Sequence, residues 1–226
     1  MNLTLKPEFG LSGSALKVIA MISMVIDHVA LYLMEQGTLL YETMRCIGRI
    51  AFPVFALLIA EGFIHTRSRY RYFFTLLGFA VISEIPWYLL NGADGTHNVM
   101  FTLALGVMAL ATFEALKKDG ILSGFTILII AFFASWFCVD YGWRGIILIV
   151  VFYLMKNTNK IISHYSIMMY QLLVFPLMIH FGIVGTILAF IIILFYNGVR
   201  GFIHSKSAKY VFYAFYPMHL FILYTL

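Results

Sequence analysis

Apolar runs of bilayer length follow one another along nearly the whole of this 226-residue chain. A helix that crosses a bilayer needs about 20 mostly apolar residues. That length predicts spans near 14–35, 47–65, 71–90, 99–116, 121–139, 143–156, 162–179, 183–199 and 208–225. Composition agrees: 62% of the residues are hydrophobic and 11% charged, where a soluble domain carries about 25% charged residues. The expected fold class is all-α, a polytopic transmembrane bundle of about nine spans forming one integral-membrane domain over residues 1–226. No run is left over for a soluble domain, so any chemistry has to sit within the membrane or at its faces. The polar start, Met1 to Ser14, leads into a first span with Asp27 and His28 inside it. It lacks a small-residue cleavage site and reads as an uncleaved first helix.

Loop charges predict the orientation, because cytoplasmic loops carry an excess of Lys and Arg. With the N-terminus in the cytoplasm, Lys6, Lys17, Arg67, Arg69, Arg71, Lys117, Lys118, Lys156, Lys160, Arg200, Lys206 and Lys209 fall on the cytoplasmic side. These are twelve of the fifteen cations. Arg45, Arg49 and Arg144 remain, all near the outer face, and topology does not account for them. The same bias explains the net charge of +5 without a nucleic-acid partner. Cys46 and Cys138 have no metal-ligand spacing, and their pairing cannot be argued from sequence.

Arg45 to Thr66 reads RCIGRIAFPVFALLIAEGFIHT and places Arg45, Arg49, Glu61 and His65 on one hydrophobic segment. A charge at a helix centre costs roughly 2.5–3.5 kcal/mol on insertion scales, so four titratable groups on one span ask for a reason. Arg45 and Arg49 stand one helical turn apart and face the same way. A guanidinium fork suits a carboxylate, a phosphate or an oxyanion; pairing with Asp27, Glu84 or Asp140 for stability is the alternative. Glu61 and His65 share another face, near Arg67, Arg69 and Arg71, where a phosphorylated ligand from the cytoplasm could bind. The plain alternative there is a positively charged loop. Pro53 between the two pairs can kink the helix.

Asp27-His28 is the sharpest feature. Histidine titrates near neutrality and can take a proton from a nucleophile and return it, and a nearby carboxylate favours the imidazolium that forms. Adjacent helical residues point about 100° apart, so Asp27 can instead pair with an arginine, as a structural ion pair. Glu84 just before Pro86, Asp140 and Arg144 around the turn Tyr141-Gly142-Trp143, and His219 after Tyr216-Pro217 add to a polar outer cluster. Each has a structural reading as well: Asp140 and Arg144 as a salt bridge, His219 as a packed side chain. His97, His164, His180 and His204 sit at interfaces and need no special role.

The blocks LKVIAMISMVIDHV, RCIGRIAFPVFALLIAEGFIHTRS, NVMFTLALG, DYGWRGIILIVVFY and the terminal YPMHL, in this order over most of the chain, resemble the TraX family of bacterial membrane proteins. The resemblance implies an integral-membrane acetyltransferase of the bacterial cytoplasmic (inner) membrane. The family's name-giving member is associated with N-terminal acetylation of conjugative pilin. It also implies kinship with larger transmembrane acyltransferases that use cytoplasmic acyl-CoA to modify extracytoplasmic glycans. In those relatives a histidine in the outer part of an early helix is the proposed catalytic residue, which maps onto His28. Paired arginines there make Arg45 and Arg49 the counterparts.

Together these readings predict acetyl transfer from acetyl-CoA, without a metal, to an amine or hydroxyl of an extracytoplasmic peptide or glycan. His28 would be the base, with Asp27 orienting it or compensating its charge. Arg45, Arg49, Glu84, Asp140, Arg144 and His219 would contact the acceptor. Glu61, His65, Arg67 and Arg69 would receive the CoA phosphates. The rival is a proton-coupled transporter of a small solute, since intramembrane Asp, His and Arg also build proton relays. Transporters tend to show matched repeats, and this chain has no evident internal symmetry.

Overall fold

The periodicity of the apolar runs emerges as helix after helix in a computed structural model, which describes residues 10–158, 164–203 and 205–226. In chain order these are α1 (Gly13–Leu33), α2 (Leu39–Gly48), α3 (Ala51–His65), α4 (Arg69–Asn91), α5 (Val99–Leu116), α6 (Gly120–Trp136), α7 (Gly142–Thr158), α8 (His164–Met178), α9 (Ile183–Leu194) and α10 (Lys206–Thr225). A short 3-10 turn, Ile179–Phe181, leads from α8 to α9. Among the described residues no β-strand forms, and two isolated bridges, Leu11 with Tyr196 and His97 with Val139, tie loops together. Lys6 and Lys160, counted above on the cytoplasmic side, lie outside the described residues.

Many helix starts show a polar residue whose side chain accepts from the first turn: Ser12, Thr38, Ser68, Asn98, Asp119 and Ser205. These caps satisfy amide donors that the helix itself leaves unpaired. Four segments, Gly13–Leu33, Leu39–His65, Arg69–Asn91 and Val99–Leu116, are long and apolar enough to cross a membrane. Gly120–Trp136, Gln171–Phe181 and Ile183–Leu194 are apolar but shorter.

The centre belongs to α3 and α7, which pack on each other, with α5 against both. Nine residues of α3, from Ala51 to Phe63, are buried on all sides of the helix. A helix that is apolar all round belongs in the interior. The outer helices instead turn large apolar side chains outward: Ile82 and Ile85 on α4, Phe125, Leu128 and Phe132 on α6, Val184 and Ile187 on α9. An apolar exterior of this extent marks a surface made for lipid.

The second predicted span is corrected in one respect. It is not a single helix over 47–65 but the end of a longer, bent segment that breaks between Gly48 and Ala51. Pro53 has no N–H to offer the Arg49 carbonyl four residues back, so the ladder is interrupted there. The chain tightens instead, with Ile50 N–H donating to Ile47 O at 3.1 Å. The residues before it, outside the predicted spans, form α2, and α2 packs against α1 and α9.

Candidate active site

One turn of α1 distributes two reactive side chains to two different neighbours. Asp27 and His28 are adjacent and therefore about 100° apart around the helix, and the structure sends Asp27 to α2 and His28 to α10. Arg45 Nη1 donates to Asp27 Oδ2 at 2.7 Å, with the two side chains only 17% and 14% exposed. The other carboxylate oxygen, Oδ1, is buried without a hydrogen-bond partner. It presses on Gly48, where any Cβ would collide with the carboxylate. Ser23 Oγ fixes this approach by donating to Ile47 O at 2.6 Å, pinning the end of α2 to α1.

His28 meets not Asp27 but His219. His28 Nδ1 and His219 Nε2 are 2.7 Å apart, with ring planes within 7°. His219 Nδ1 lies 3.0 Å from the Phe215 carbonyl oxygen. A carbonyl only accepts, so His219 carries a proton on Nδ1. Neutral His219 then has an accepting Nε2, so His28 donates from Nδ1. That assignment leaves the lone pair of His28 Nε2 unspent. The tyrosine rings of Tyr32 and Tyr216 flank His28, at centroid distances of 6.0 and 6.3 Å.

Arg49 sits at the break between α2 and α3, where the charges of Asp27 and Asp140 and the Tyr141 hydroxyl bear on its guanidinium. Its stem lies beneath the start of α9, and a Cβ at Gly185 would strike both Arg49 and the Cys46 carbonyl. The loop from α6 to α7 closes this side. Thr102 Oγ1 donates to the Asp140 carbonyl, and Asp140 N–H donates to His97 O at 2.9 Å. Tyr141 stacks on Phe52 at 3.6 Å between centroids and has φ 63°, while Cys138 has φ 48°. Two non-glycine residues with positive φ in four positions are a strain that surrounding contacts must hold. Asp140 lies in this loop outside the spans, and burial pushes its carboxyl up to about 6 against the pull of the Tyr141 N–H and Arg49.

The remaining predicted outer residues sit apart from the two histidines. Glu84 accepts from Asn98 Nδ2 at 2.5 Å and meets His97 Nδ1 at 2.6 Å, closing the turn between α4 and α5. His97, read as an unremarkable interfacial residue, thus has a definite partner; the side chain of His164 and all of His204 lie outside the described residues. Arg144 lies over the Trp143 ring at 4.9 Å, and among the described residues no ion pair joins it to Asp140. Cys46 and Cys138 are both free thiols.

At the opposite end, acids are surrounded by cations. Glu61 pairs with Lys156 and with His65, the latter at 3.1 Å. Glu114, absent from the sequence reading, accepts from Tyr153 at 2.6 Å and pairs with Arg69 at 3.6 Å and Lys117 at 3.4 Å. Arg69 also covers the Phe63 ring at 4.7 Å, and Arg67 is exposed. Among the described residues no group of three or more His, Cys, Asp or Glu side chains is placed to hold a metal.

Comparison with known proteins now adds to the geometry. The sequence model described as TraX protein matches residues 12–226. The chain belongs to the TraX family. It is 32% identical over 232 residues to the probable fimbrial assembly protein FimC, serogroup H1, of Dichelobacter nodosus, covering 92% of this chain and 93% of that protein. An uncharacterized protein of Rickettsia prowazekii (strain Madrid E) is 30% identical over 145 residues, 63% of this chain and 55% of its own length. No solved structure matches. The TraX match spans both histidines of the pair and the Asp27, Arg45 and Arg49 set.

Sequence reasoning gave no role to Ser23, Gly48, Tyr141, Gly185 and Tyr216 around this cluster. A small residue one position from a half-buried arginine, as Gly48 is from Arg49, is a usable signal for close approach. The positive φ of Tyr141 left no comparable mark.

Proposed function

We propose that this TraX-family protein is a membrane-embedded acetyltransferase of the bacterial inner membrane. It takes the acetyl group of cytoplasmic acetyl-CoA and places it on an amine or hydroxyl of an extracytoplasmic peptide or glycan. The reading includes a single domain of nine crossings with a cytoplasmic N-terminus. The observation that carries it is the His28–His219 pair, whose bonding leaves His28 Nε2 as an open base within an apolar bundle.

In the proposed step, the acceptor N–H or O–H gives its proton to His28 Nε2 as its heteroatom attacks the thioester carbonyl carbon. The carbonyl becomes an oxyanion, and Arg49, assisted by Arg45, stabilises it. When the carbon–sulfur bond breaks, the CoA thiolate recovers the proton from His28 and the acetyl group stays on the acceptor. His219 accepts from His28 Nδ1–H throughout and so steadies the imidazolium, a role the sequence reading gave to Asp27. Asp27 instead holds Arg45. Asp140 and Tyr141 hold Arg49 in place, while Glu84 and Arg144 line the outer approach. The CoA phosphates bind at the inner end near His65, Arg67 and Arg69, with Glu61 neutralised by Lys156.

The kinship with a probable fimbrial assembly protein favours a surface-appendage subunit as the acceptor. A thermal-shift titration with acetyl-CoA tests the donor: stabilisation is expected, and indifference to it would instead favour a proton-coupled transporter built on the same groups.

A further inference from the structure

A groove of about 310 Å3 runs between α1 and α10, walled by Val18, Ile22, Val25 and Ile26 on one side and Phe212 and Phe215 on the other. It opens outward, with Ile22 57% exposed. From Val18 to Ile26 it follows α1 for about 12 Å at 1.5 Å per residue. One leaflet of a roughly 30 Å hydrocarbon core is about 15 Å deep, so the groove has the reach of one lipid chain.

Its shallow end is basic. Lys17 immediately precedes Val18, and its ammonium stands 5.7 Å from the centroid of the Phe212 wall ring. The charges of Arg200 and Lys209 both bear on Lys17. Lys209 is exposed, between Tyr72 at 5.4 Å and Tyr213 at 5.7 Å. Among the described residues none of these three cations has a carboxylate partner. Three cations without a carboxylate partner among the described residues, at the mouth of an apolar groove, match a molecule with one apolar tail and an anionic head.

We propose that this groove binds one acyl chain of an anionic phospholipid of the inner leaflet, with its phosphate held by Lys17, Lys209 and Arg200. The word inner rests on the orientation proposed above; the binding does not. The pantetheine arm of CoA is a poor occupant, because its amides would lose their hydrogen bonds against an apolar wall. The deep end gives the site a consequence. Phe215 walls the groove, lies 5.3 Å from the His219 ring and offers the carbonyl that fixes its proton. A chain in the groove braces the residue that sets the state of the histidine pair.

The test uses the full-length protein in detergent with phosphatidylglycerol or phosphatidylcholine of identical chains, weighed by native mass spectrometry. One phosphatidylglycerol should be retained about tenfold better than phosphatidylcholine. Joint Lys17→Gln and Lys209→Gln substitution should remove most of the preference, at about threefold per lysine. Ile22→Trp, which fills the groove, should reduce retention of both lipids. Equal retention of the two lipids by the wild type would overturn the proposal, and this comparison needs no variant to fold. So would displacement of the lipid by acetyl-CoA, or a dimer that Ile22→Trp dissociates without any lipid adduct. None of these readouts requires acetyl transfer, so the lipid site and the proposed activity can fail separately.

Discussion

The two polar ends of this molecule use similar residues to opposite effect. At the inner end two acids among the described residues are spent: Glu61 on Lys156 and His65, Glu114 on Tyr153, Arg69 and Lys117. At the outer end atoms are held in reserve. Asp27 Oδ1 has no hydrogen-bond partner, His28 Nε2 is left as a lone pair, and strained backbone surrounds Asp140. Satisfied networks stabilise and position, whereas buried groups left short of partners are where ligands and protons can be handled. The contrast supports the proposal that chemistry belongs to the outer cluster and anchoring to the inner one.

The sharpest way to break that contrast is to remove the base. His28→Gln is expected to lower acetyl transfer by about 10³-fold, within the usual range for a general base, with little change in melting temperature. Arg49→Lys should follow at about 10²-fold, expressed in kcat rather than in the KM for acetyl-CoA, because a single ammonium cannot reproduce the fork. Gly48→Ala should destabilise by about 1–3 kcal/mol by driving a methyl into the Asp27 carboxylate, read as a drop in melting temperature. At the inner end His65→Gln should leave kcat unchanged and raise the KM for acetyl-CoA only a few-fold. A large kcat loss there would erase the division of labour.

A separate effect concerns pH. The Asp140 carboxyl is raised from 3.8 to about 6 by burial, so its neutral form is the one the fold prefers. Its contribution is therefore fully present below about 4 and is lost as pH rises through about 6, at most about 3 kcal/mol. Asp140→Asn should flatten that part of the pH–stability curve and melt higher than the wild type at pH 8.

Much of this was legible in the chain, and the rest was hidden for definite reasons. Asp27, His28, Arg45 and Arg49 stand out because charge inside an apolar run is expensive whatever the fold. Pro53 likewise announced a bend, although not that α2 would precede it. The pairing of His28 with His219 spans 191 positions, and no local pattern carries contact information over that distance. The same holds for Lys156 and Glu61, which lie on different helices and meet only after α3 and α7 pack. The strain at Cys138 and Tyr141 comes from docking their loop against His97 and Thr102, a tertiary cause without a sequence signature.

The central claim is that His28 receives the acceptor's proton during acetyl transfer. The direct measurement is incorporation of label from acetyl-radiolabelled acetyl-CoA into non-CoA material, in membranes carrying either the wild type or His28→Gln at equal abundance. Label should accumulate with the wild type and fall to background with the variant. Equal incorporation by both would contradict the account.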